Sequence, residues 1–568
     1  MAGRVRLVLY VFISMLVLLG TRALDLQLFA RTSIISRVYN RIDHTVKLSA
    51  RRGPILDRGG QPLAISVNVK SIAANPRMIK KTEIISKRLA KALSLRASRL
   101  ERRLKSRKYF VWVKRYATPD EVARVAKLNI KGIGYFTETR RFYPEGTSLA
   151  NILGIVGIDG DGLEGLELYY DNVLKGTPRY VVVERDGLGR TIYARGLPKT
   201  SAREGGTICL TIDRRLQYIA FKTLKDAVVK NNARSGFVII TNPMSGEIYA
   251  MASFPSFNPN KLSYTDLLSH KNRAVVDVFE PGSTLKPIWV SWGLDNHIFK
   301  TDEKVFCENG EFRVHRTTIH DHEKFGWLTV KDVVKFSSNI GMVKLVSRIE
   351  PPSMYKCLKS FGFGMQTGLD FPGEAKGILR PYTKWSSVDR AEMAFGQGIS
   401  VTGIQLITAF NALVNGGFLI RPHMVKYIGD AHGNITHTSI STIERRVISP
   451  EASQEILEIM RQVTSEGGTG ENAGIKNYQV FGKTGTAQKV DPITGAYSKS
   501  SYVATFVGGI MDALGRPALT MVVSINEPHK YHYASEVACP VFRDIGHRCV
   551  NTLGLYPVLR VAKKGDSR

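Results

Sequence analysis

At 568 residues the chain is longer than one hydrophobic core usually organises, so two or more folded domains are expected, with room for an enclosed site. A composition of 43% hydrophobic and 23% charged residues excludes a disordered chain or a polytopic membrane protein. The formal charge of +31 raises the question of nucleic acid, but Lys and Arg are spread along the chain without zinc-finger spacing, an RNP-like aromatic motif or basic heptads. No nucleic-acid partner is expected, and anionic lipid headgroups or an acidic polymer suit the charge equally well.

The first element is the uninterrupted apolar run LVLYVFISMLVLLG, residues 7 to 20, behind Arg4 and Arg6. It is shorter than the roughly 20 residues of a membrane span and also suits the core of a signal peptide. Leu24, Leu26, Leu28 and Phe29 extend the apolar character, and Arg22 beside Ala23 makes a poor cleavage site. A retained anchor over 7–28 is therefore expected, after a short start of residues 1–6. Basic residues lie on both sides, so orientation is only weakly specified. Nothing later resembles a span, which leaves the rest of the chain on one side of the membrane.

Between about residues 40 and 200, RRGPILDRGGQPLAISV (51–67) reads as two short strands around a Gly-Gly turn. ISKRLAKALSLRASRLERRLKSR (85–107) reads as basic helices whose charge is most simply a solvated face. No paired carboxylates or metal-ligand cluster stand out in this part. Near Gly205 the texture changes: TICLTID leads into the helical pattern RRLQYIAFKTLKDAVVK, and GFVIITNPMSGEIYAMAS reads as two apolar strands joined by a turn at 242–246. Towards the end, SYVATFVGGIM and ALTMVVSIN alternate around Gly515-Arg516-Pro517 as an antiparallel hairpin. The economical arrangement is an α+β fold, in which one antiparallel sheet draws strands from both ends of the domain and helices flank it. The five cysteines show no CxxC or Cys/His spacing. Cys539 and Cys549 pair only if the chain folds back there; otherwise all five are isolated buried thiols.

Three short stretches carry chemistry. In FEPGSTLKP (279–287) Ser283 and Lys286 are spaced i, i+3, which places them on one face if a helix starts after Pro281-Gly282. A lysine buried near a helix start can lose its proton and take the one on a serine hydroxyl. The plain alternative is a Ser N-cap followed by an ordinary Lys, and average residue usage gives about two such spacings by chance in a chain this long. Ser337-Ser338-Asn339 lies between the helical patterns LTVKDVVKF and IGMVKLVSRI, where a loop projects a hydroxyl and an amide or simply turns the chain. Lys483-Thr484-Gly485-Thr486 follows the strand-like NYQVF. Its Gly admits a ligand to the strand edge, its hydroxyls and ammonium suit a carboxylate, and its backbone N–H groups suit an oxyanion. The ordered set Ser-x-x-Lys, Ser-x-Asn, Lys-Thr-Gly is far rarer than any one member.

Taken with RGPILDRGGQPLA, RRFYPEGTSLANILGIVGIDGDGLEGLE, ERDGLGR, SGFVIITNPMSGEIYAMASFPSFNPN and FGQGISVTGIQLITAFNALVNGG, these motifs resemble the class B penicillin-binding proteins, in particular the septal FtsI type. The resemblance runs from the anchor to about residue 550. It implies a membrane anchor, an elongated mixed α/β pedestal over 29–205, a transpeptidase domain over 206–555 with an antiparallel sheet flanked by helices, and a basic tail, 556–568. It implies a D,D-transpeptidase in which Ser283 attacks the D-Ala-D-Ala end of a peptidoglycan stem peptide, with Lys286 as base and Ser337 as proton relay. Asn339 would bind the donor amide, and Lys483, Thr484 and Thr486 the terminal carboxylate, with Gly485 admitting it. The backbone N–H groups of Ser283 and Thr486 would form the oxyanion hole. β-Lactams would acylate Ser283, and no metal or organic cofactor is implied. The family's partners are the division glycosyltransferase FtsW and the FtsQ, FtsL and FtsB assembly, on the outer side of the bacterial inner membrane at the septum. Two departures stand out: Ala534-Ser535 where the family often has Gly-Gly, and Met511 where Pro is common. A β-lactam sensor, a β-lactamase and a D,D-carboxypeptidase share the first chemical step. No ExxLN pattern for a deacylating base lies between Asn339 and Lys483.

Overall fold

The structure, a computed structural model, describes residues 2–25, 43–48, 50–106, 108, 110–177, 179–185, 191–193, 204–262, 266–315, 317–491 and 494–557. Residues 26–28 of the expected anchor, 186–190 of ERDGLGR and 558–568 of the tail lie outside them. Helix α1, Ala2–Leu24, begins before the apolar run because Arg4 and Arg6 are good helix formers. Its 23 residues reach about 34 Å, enough for a hydrocarbon core, and Gly3–Leu24 has the length and composition of a span.

The chain continues as β1 (Asp43–Leu48) and then the hairpin of β2 (Ile55–Leu56) and β3 (Pro62–Ala74). The hairpin pairs Ile55 with Ala64. Its turn is tied by Asp57 Oδ1, which accepts from Gly59 N and Gln61 N at 2.9 and 2.8 Å, and Gly60 takes φ +80°. Helices α2 (Thr82–Leu93) and α3 (Ala97–Leu104) turn Leu89, Leu93, Leu100 and Leu104 into one core with Ile72 and Val113. The basic stretch therefore folds as helices, as its 3.6-residue spacing predicts, and there are two of them. Next come β4 (Val111–Ala117), antiparallel to the far end of β3, α4 (Pro119–Ala126) behind a Thr118/Glu121 capping box, and β5 (Ile133–Phe142). β6 (Arg179–Arg185) joins β1 to β7 (Thr191–Tyr193) in a three-stranded sheet.

Strand β8 (Thr207–Leu210) runs parallel to β2 and leads into α5 (Arg214–Lys230), capped by Asp213. β9 (Ser235–Thr241) and β10 (Ile248–Phe254) form the expected hairpin. After β11 (Val278–Phe279), a 3-10 turn at Gly282–Leu285 runs straight into α6 (Lys286–Asp295). α7 (Val330–Lys335) and α8 (Asn339–Val346) flank the Ser337-Ser338 corner. β12 (Val401–Thr402) pairs with β11 and opens α9 (Gly403–Val414); β13 (Val425–Gly429) pairs with β8. The last elements are α10 (Pro450–Val463), β14 (Val480–Val490), β15 (Tyr497–Met511), β16 (Pro517–Asn526) and α11 (Ala534–Thr552).

Five strands form one fully antiparallel sheet in the order β10-β9-β16-β15-β14, so both chain ends of this region meet in it, as expected. It is buried on both faces. Val238 and Ile240 join a core with Leu216 and Phe542, whereas Phe237 and Ile239 join the one holding Trp289 and Phe410. That is why β9 reads as an unbroken apolar run instead of alternating.

The chain divides into two compact units. One comprises Met1–Arg51, Val67–Arg140 and Lys175–Gly205, and the other Arg52–Ser66, Arg141–Leu174 and Gly206–Arg568. Within the second, Arg52 bonds Glu167 and Asp171 at 2.5 Å each, and Arg141 bonds Glu167 at 2.6 Å, with Glu167 fully buried. All five cysteines are buried free thiols, and Cys539 and Cys549 lie on the single helix α11, which does not fold back.

Candidate active site

Ser283 sits inside the 3-10 turn, not at its N-cap, and neither this turn nor α6 has a side-chain cap. The capping alternative is thereby overturned. In a 3-10 turn residues i and i+3 eclipse, so Lys286, the first residue of α6, lies on the same side as Ser283. The turn is set by backbone contact: Gly282 N–H donates to Gly396 O at 3.0 Å, and Gly282 takes φ +55°. A Cβ on Gly396 would stand 2.0 Å from Gly282 O, so no side chain fits there.

Lys286 is completely buried. Its Nζ donates to Ser337 O at 2.6 Å and Asn339 Oδ1 at 2.8 Å, with Ser337 Oγ at 3.3 Å. Lys483, equally buried, donates to Ser337 Oγ at 2.9 Å and Thr484 O at 3.1 Å. The Ser337 hydroxyl is thus bracketed by two lysine nitrogens. Burial, and then the charge of Lys483, hold Lys286 well below the usual lysine range, against the opposing field of Asp321. Burial lowers Lys483 to about 7. Ser337 itself adopts φ +60°, a conformation costly for a residue with a Cβ and kept only where the surroundings fix it.

The strand edge completes the site. β14 ends the sheet order, so one side of it is unpaired with another strand of that sheet. A Cβ on Gly485 would lie 2.8 Å from Pro281 O and from Thr284 Cγ2, which makes glycine the residue that lets β14 lie against the Ser283 turn. Thr484 Oγ1 lies 3.0 Å from Thr469 Oγ1, and Thr486 Oγ1 accepts from Ala534 N–H at 3.0 Å. Ala534 and Ser535 open α11 with helical backbone, so the departure from Gly-Gly needs no left-handed residue here. The structure brings together Ser283, Lys286, Ser337, Asn339 and Lys483 to Thr486, residues up to 203 positions apart in the chain.

Three contributors were given no role by the motifs. Asp321 accepts from Ser338 Oγ at 2.6 Å, from Ile340 N–H at 3.1 Å and from Asn339 N–H, and so fixes the Ser-x-Asn corner from outside it. Thr469 belongs to the Gly-rich EGGTGENAG, a composition that marks a shaped turn but not its target. Glu280 Oε1 accepts from Gly398 N–H at 2.9 Å and Tyr497 OH at 3.2 Å, and burial holds its carboxyl above the ordinary range. Among the described residues no group of three or more His, Cys, Asp or Glu is placed to hold a metal ion.

Residues 236–547, more than half of the chain, match the family model of the penicillin binding protein transpeptidase domain. The chain belongs to the penicillin-binding transpeptidases. Residues 47–210 match the penicillin-binding protein dimerisation domain as well. This penicillin-binding protein is 34% identical to the peptidoglycan D,D-transpeptidase FtsI of Escherichia coli strain K12, over 90% of the chain and 85% of the relative. It is 31% identical to the probable peptidoglycan D,D-transpeptidase PenA of Neisseria gonorrhoeae, over 98% and 94%. Among solved structures it resembles penicillin binding protein 3 from Mycobacterium tuberculosis complexed with aztreonam, with a TM-score of 0.70, 25% identity, and coverage of 90% of this chain and 99% of that one.

Proposed function

We propose that this penicillin-binding protein is a septal peptidoglycan D,D-transpeptidase working through a Ser283 acyl-enzyme. The observation that carries the reading is the buried Lys286–Ser337–Lys483 chain beside Ser283. Neutral Lys286 takes the proton as Ser283 Oγ bonds the carbonyl carbon between the two terminal D-alanines. That carbonyl oxygen is held by the backbone N–H groups of Ser283 and Thr486; such a donor is typically worth about 100-fold or more in rate. Collapse of the tetrahedral adduct breaks the C–N bond, and the D-alanine nitrogen leaves with a proton relayed through Ser337. An amine of a second stem peptide then attacks the ester, Lys286 accepts its proton and delivers one to the departing Ser283 Oγ as the C–O bond breaks, which restores the serine and the neutral lysine and leaves the cross-link formed. Lys483, Thr484 and Thr486 hold the departing carboxylate, Gly485 gives it access, and Asn339 binds the donor amide. β-Lactams stop the cycle at the acyl-enzyme.

In this reading α1 is retained in the inner membrane, residues 29–205 are non-catalytic, and 206–555 carry the reaction on the periplasmic side at the division septum. The partners are FtsW and the FtsQ, FtsL and FtsB assembly. Incubating the chain with a penicillin and following its intact mass tests the chemistry. A stable one-to-one adduct is expected, absent in Ser283→Ala with the fold intact; labelling that persists in that variant rules out Ser283 as the acylated residue, and rapid drug turnover reassigns the protein to β-lactam hydrolysis.

A further inference from the structure

Although Lys and Arg are spread along the chain, one stretch within the first unit is far more basic than the average. Between Lys80 and Lys108 the described residues include eleven Lys and Arg, every one of them exposed. The same segment has two carboxylates, Glu83 and Glu101, and each already faces a lysine four residues on, Lys87 at 2.8 Å and Lys105 at 2.7 Å. The leucines of α2 and α3 point into the core, so the basic side chains face away from it. Of the large apolar side chains on the two helices only Ile84, 55% exposed, remains outside that core. A solvated face needs no such excess, because interspersed opposite charges keep a surface soluble without self-repulsion.

A second feature adjoins it. Phe110, Trp112 and Phe136 form an edge-to-face cluster with ring centroids 4.9, 5.5 and 5.9 Å apart. Phe110 and Phe136 remain 42% and 45% exposed, although aromatic rings of this size are normally driven into a core. Arg103 of α3 donates from Nη1 to Trp112 O at 3.1 Å, which fastens the basic helix to the aromatic cluster. Exposed aromatics beside a polybasic surface match the two layers of a lipid interface, with rings at headgroup depth and ammonium and guanidinium groups at the phosphates. An acidic protein face would also satisfy the charge; what favours lipid is the tether to α1, which keeps this surface in reach of the bilayer.

We infer that the α2–α3 face with the Phe110–Trp112–Phe136 cluster docks on anionic phospholipid. The inference rests on the reading of α1 as a retained anchor. The stretch between Leu24 and Asp43 spans at most about 65 Å even when fully extended, so the anchor holds the first unit close to the bilayer. Attraction to phosphates acts within about 8 Å in physiological salt, and the tether supplies the repeated encounters in which the basic face comes that near.

The test uses the full chain in lipid discs, either of phosphatidylcholine alone or with about one third phosphatidylglycerol. The native cysteines are all buried, so a dye on Ser98→Cys, an exposed position of α3, labels one site. Quenching of that dye by a nitroxide-headgroup lipid is expected to be about twofold or more stronger in the anionic discs, and to fall to the neutral level in about 0.5 M salt. It should fall likewise in Arg99→Glu/Arg102→Glu and in Phe110→Ser/Phe136→Ser, with penicillin labelling of Ser283 unchanged. Equal quenching in the two discs overturns the lipid assignment and transfers the basic face to an acidic protein or polymer. Co-elution of chain and neutral discs reports the anchor separately, and a chain that fails to co-elute sinks the anchor without deciding the patch, which sedimentation with anionic against neutral vesicles then decides in the same two directions.

Discussion

The Lys286 nitrogen has two carbonyl-type oxygens at close range, Ser337 O and Asn339 Oδ1, one for each hydrogen of a neutral amine. Its lone pair is then left for a hydroxyl, which is what a base for Ser283 requires. The neutral form grows as pH rises through the lowered pKa of Lys286, so acylation gains with pH on its acid side. On its alkaline side acylation is expected to decline as Lys483 loses its charge above about 7 and with it the grip on the substrate carboxylate that the proposed function gives it. Two substitutions move the acid limb in opposite directions. Asp321→Asn removes the anion that raises the Lys286 pKa and shifts the limb to lower pH, whereas Lys483→Met removes a neighbouring cation and shifts it to higher pH. Second-order acylation rates with a penicillin from pH 5 to 9 measure both; shifts of the same sign would show that Lys286 is not the group titrating. At this scale the sequence held the eight motif residues, because each lies within three positions of a motif partner. It did not hold Asp321, whose partners are 17 to 19 residues away in a loop with no regular spacing.

β14 lies against the Ser283 turn with glycine at the closest point, and a methyl group at Gly485 would need space already occupied by Pro281 O and Thr284 Cγ2. Gly485→Ala is therefore expected to push the strand edge away from the nucleophile. Misplacement of this size typically costs about 100-fold in rate, so penicillin acylation should slow by that order while the thermal midpoint changes by only a few degrees. Stopped-flow acylation and a melting curve on the same variant check it; unchanged acylation would show that the contact is not a spacing constraint. Elements were the most legible scale. Residues 207–254 read as strand, helix and hairpin because periodicity is local, and that order is what β8, α5, β9 and β10 show. The approach of Gly485 to Pro281 crosses more than 200 residues, and no local pattern encodes it. Helix α1 extends past the apolar run for the same reason in reverse, since helix propensity continues where hydropathy stops.

The unit that carries the site is assembled from three stretches of chain. β2 lies between β3 and β8, and Ile55, Leu63, Tyr143 and Leu149 belong to the same core as Trp289 and Phe410. A fragment beginning at Gly206 keeps every motif residue but loses that strand and those side chains. It is expected to be aggregated or unfolded by circular dichroism and size exclusion, and a soluble fragment that labels with penicillin would contradict the role given to the early segments. Within the whole chain, Glu167→Ala leaves Arg52 and Arg141 buried without their shared carboxylate, a change that typically costs about 3–5 kcal/mol. The sheet of the catalytic unit was foreseeable because both of its hairpins are local. The recruitment of 52–66 and 141–174 was not: the Gly-rich, acidic 141–174 stands out from the basic stretch before it, but nothing in its composition names the distant strand and core it joins.

The position of β2 also sets a clock. A chain delivered across a membrane emerges from its amino end, and Ile55 arrives first; its partner Ile208 follows some 150 residues later, and β13, which closes the other side of β8, later still. At the usual synthesis rate of about 5–20 residues per second, β2 waits on the order of ten seconds or more for β8, and the Lys483 strand edge, with the β15 and β16 strands that order it, comes later again. In the proposed orientation the nascent protein therefore displays unpaired strand edges outside the cell membrane well before its active site is assembled, so any chaperone that shields those edges also sets the moment at which the enzyme is born active.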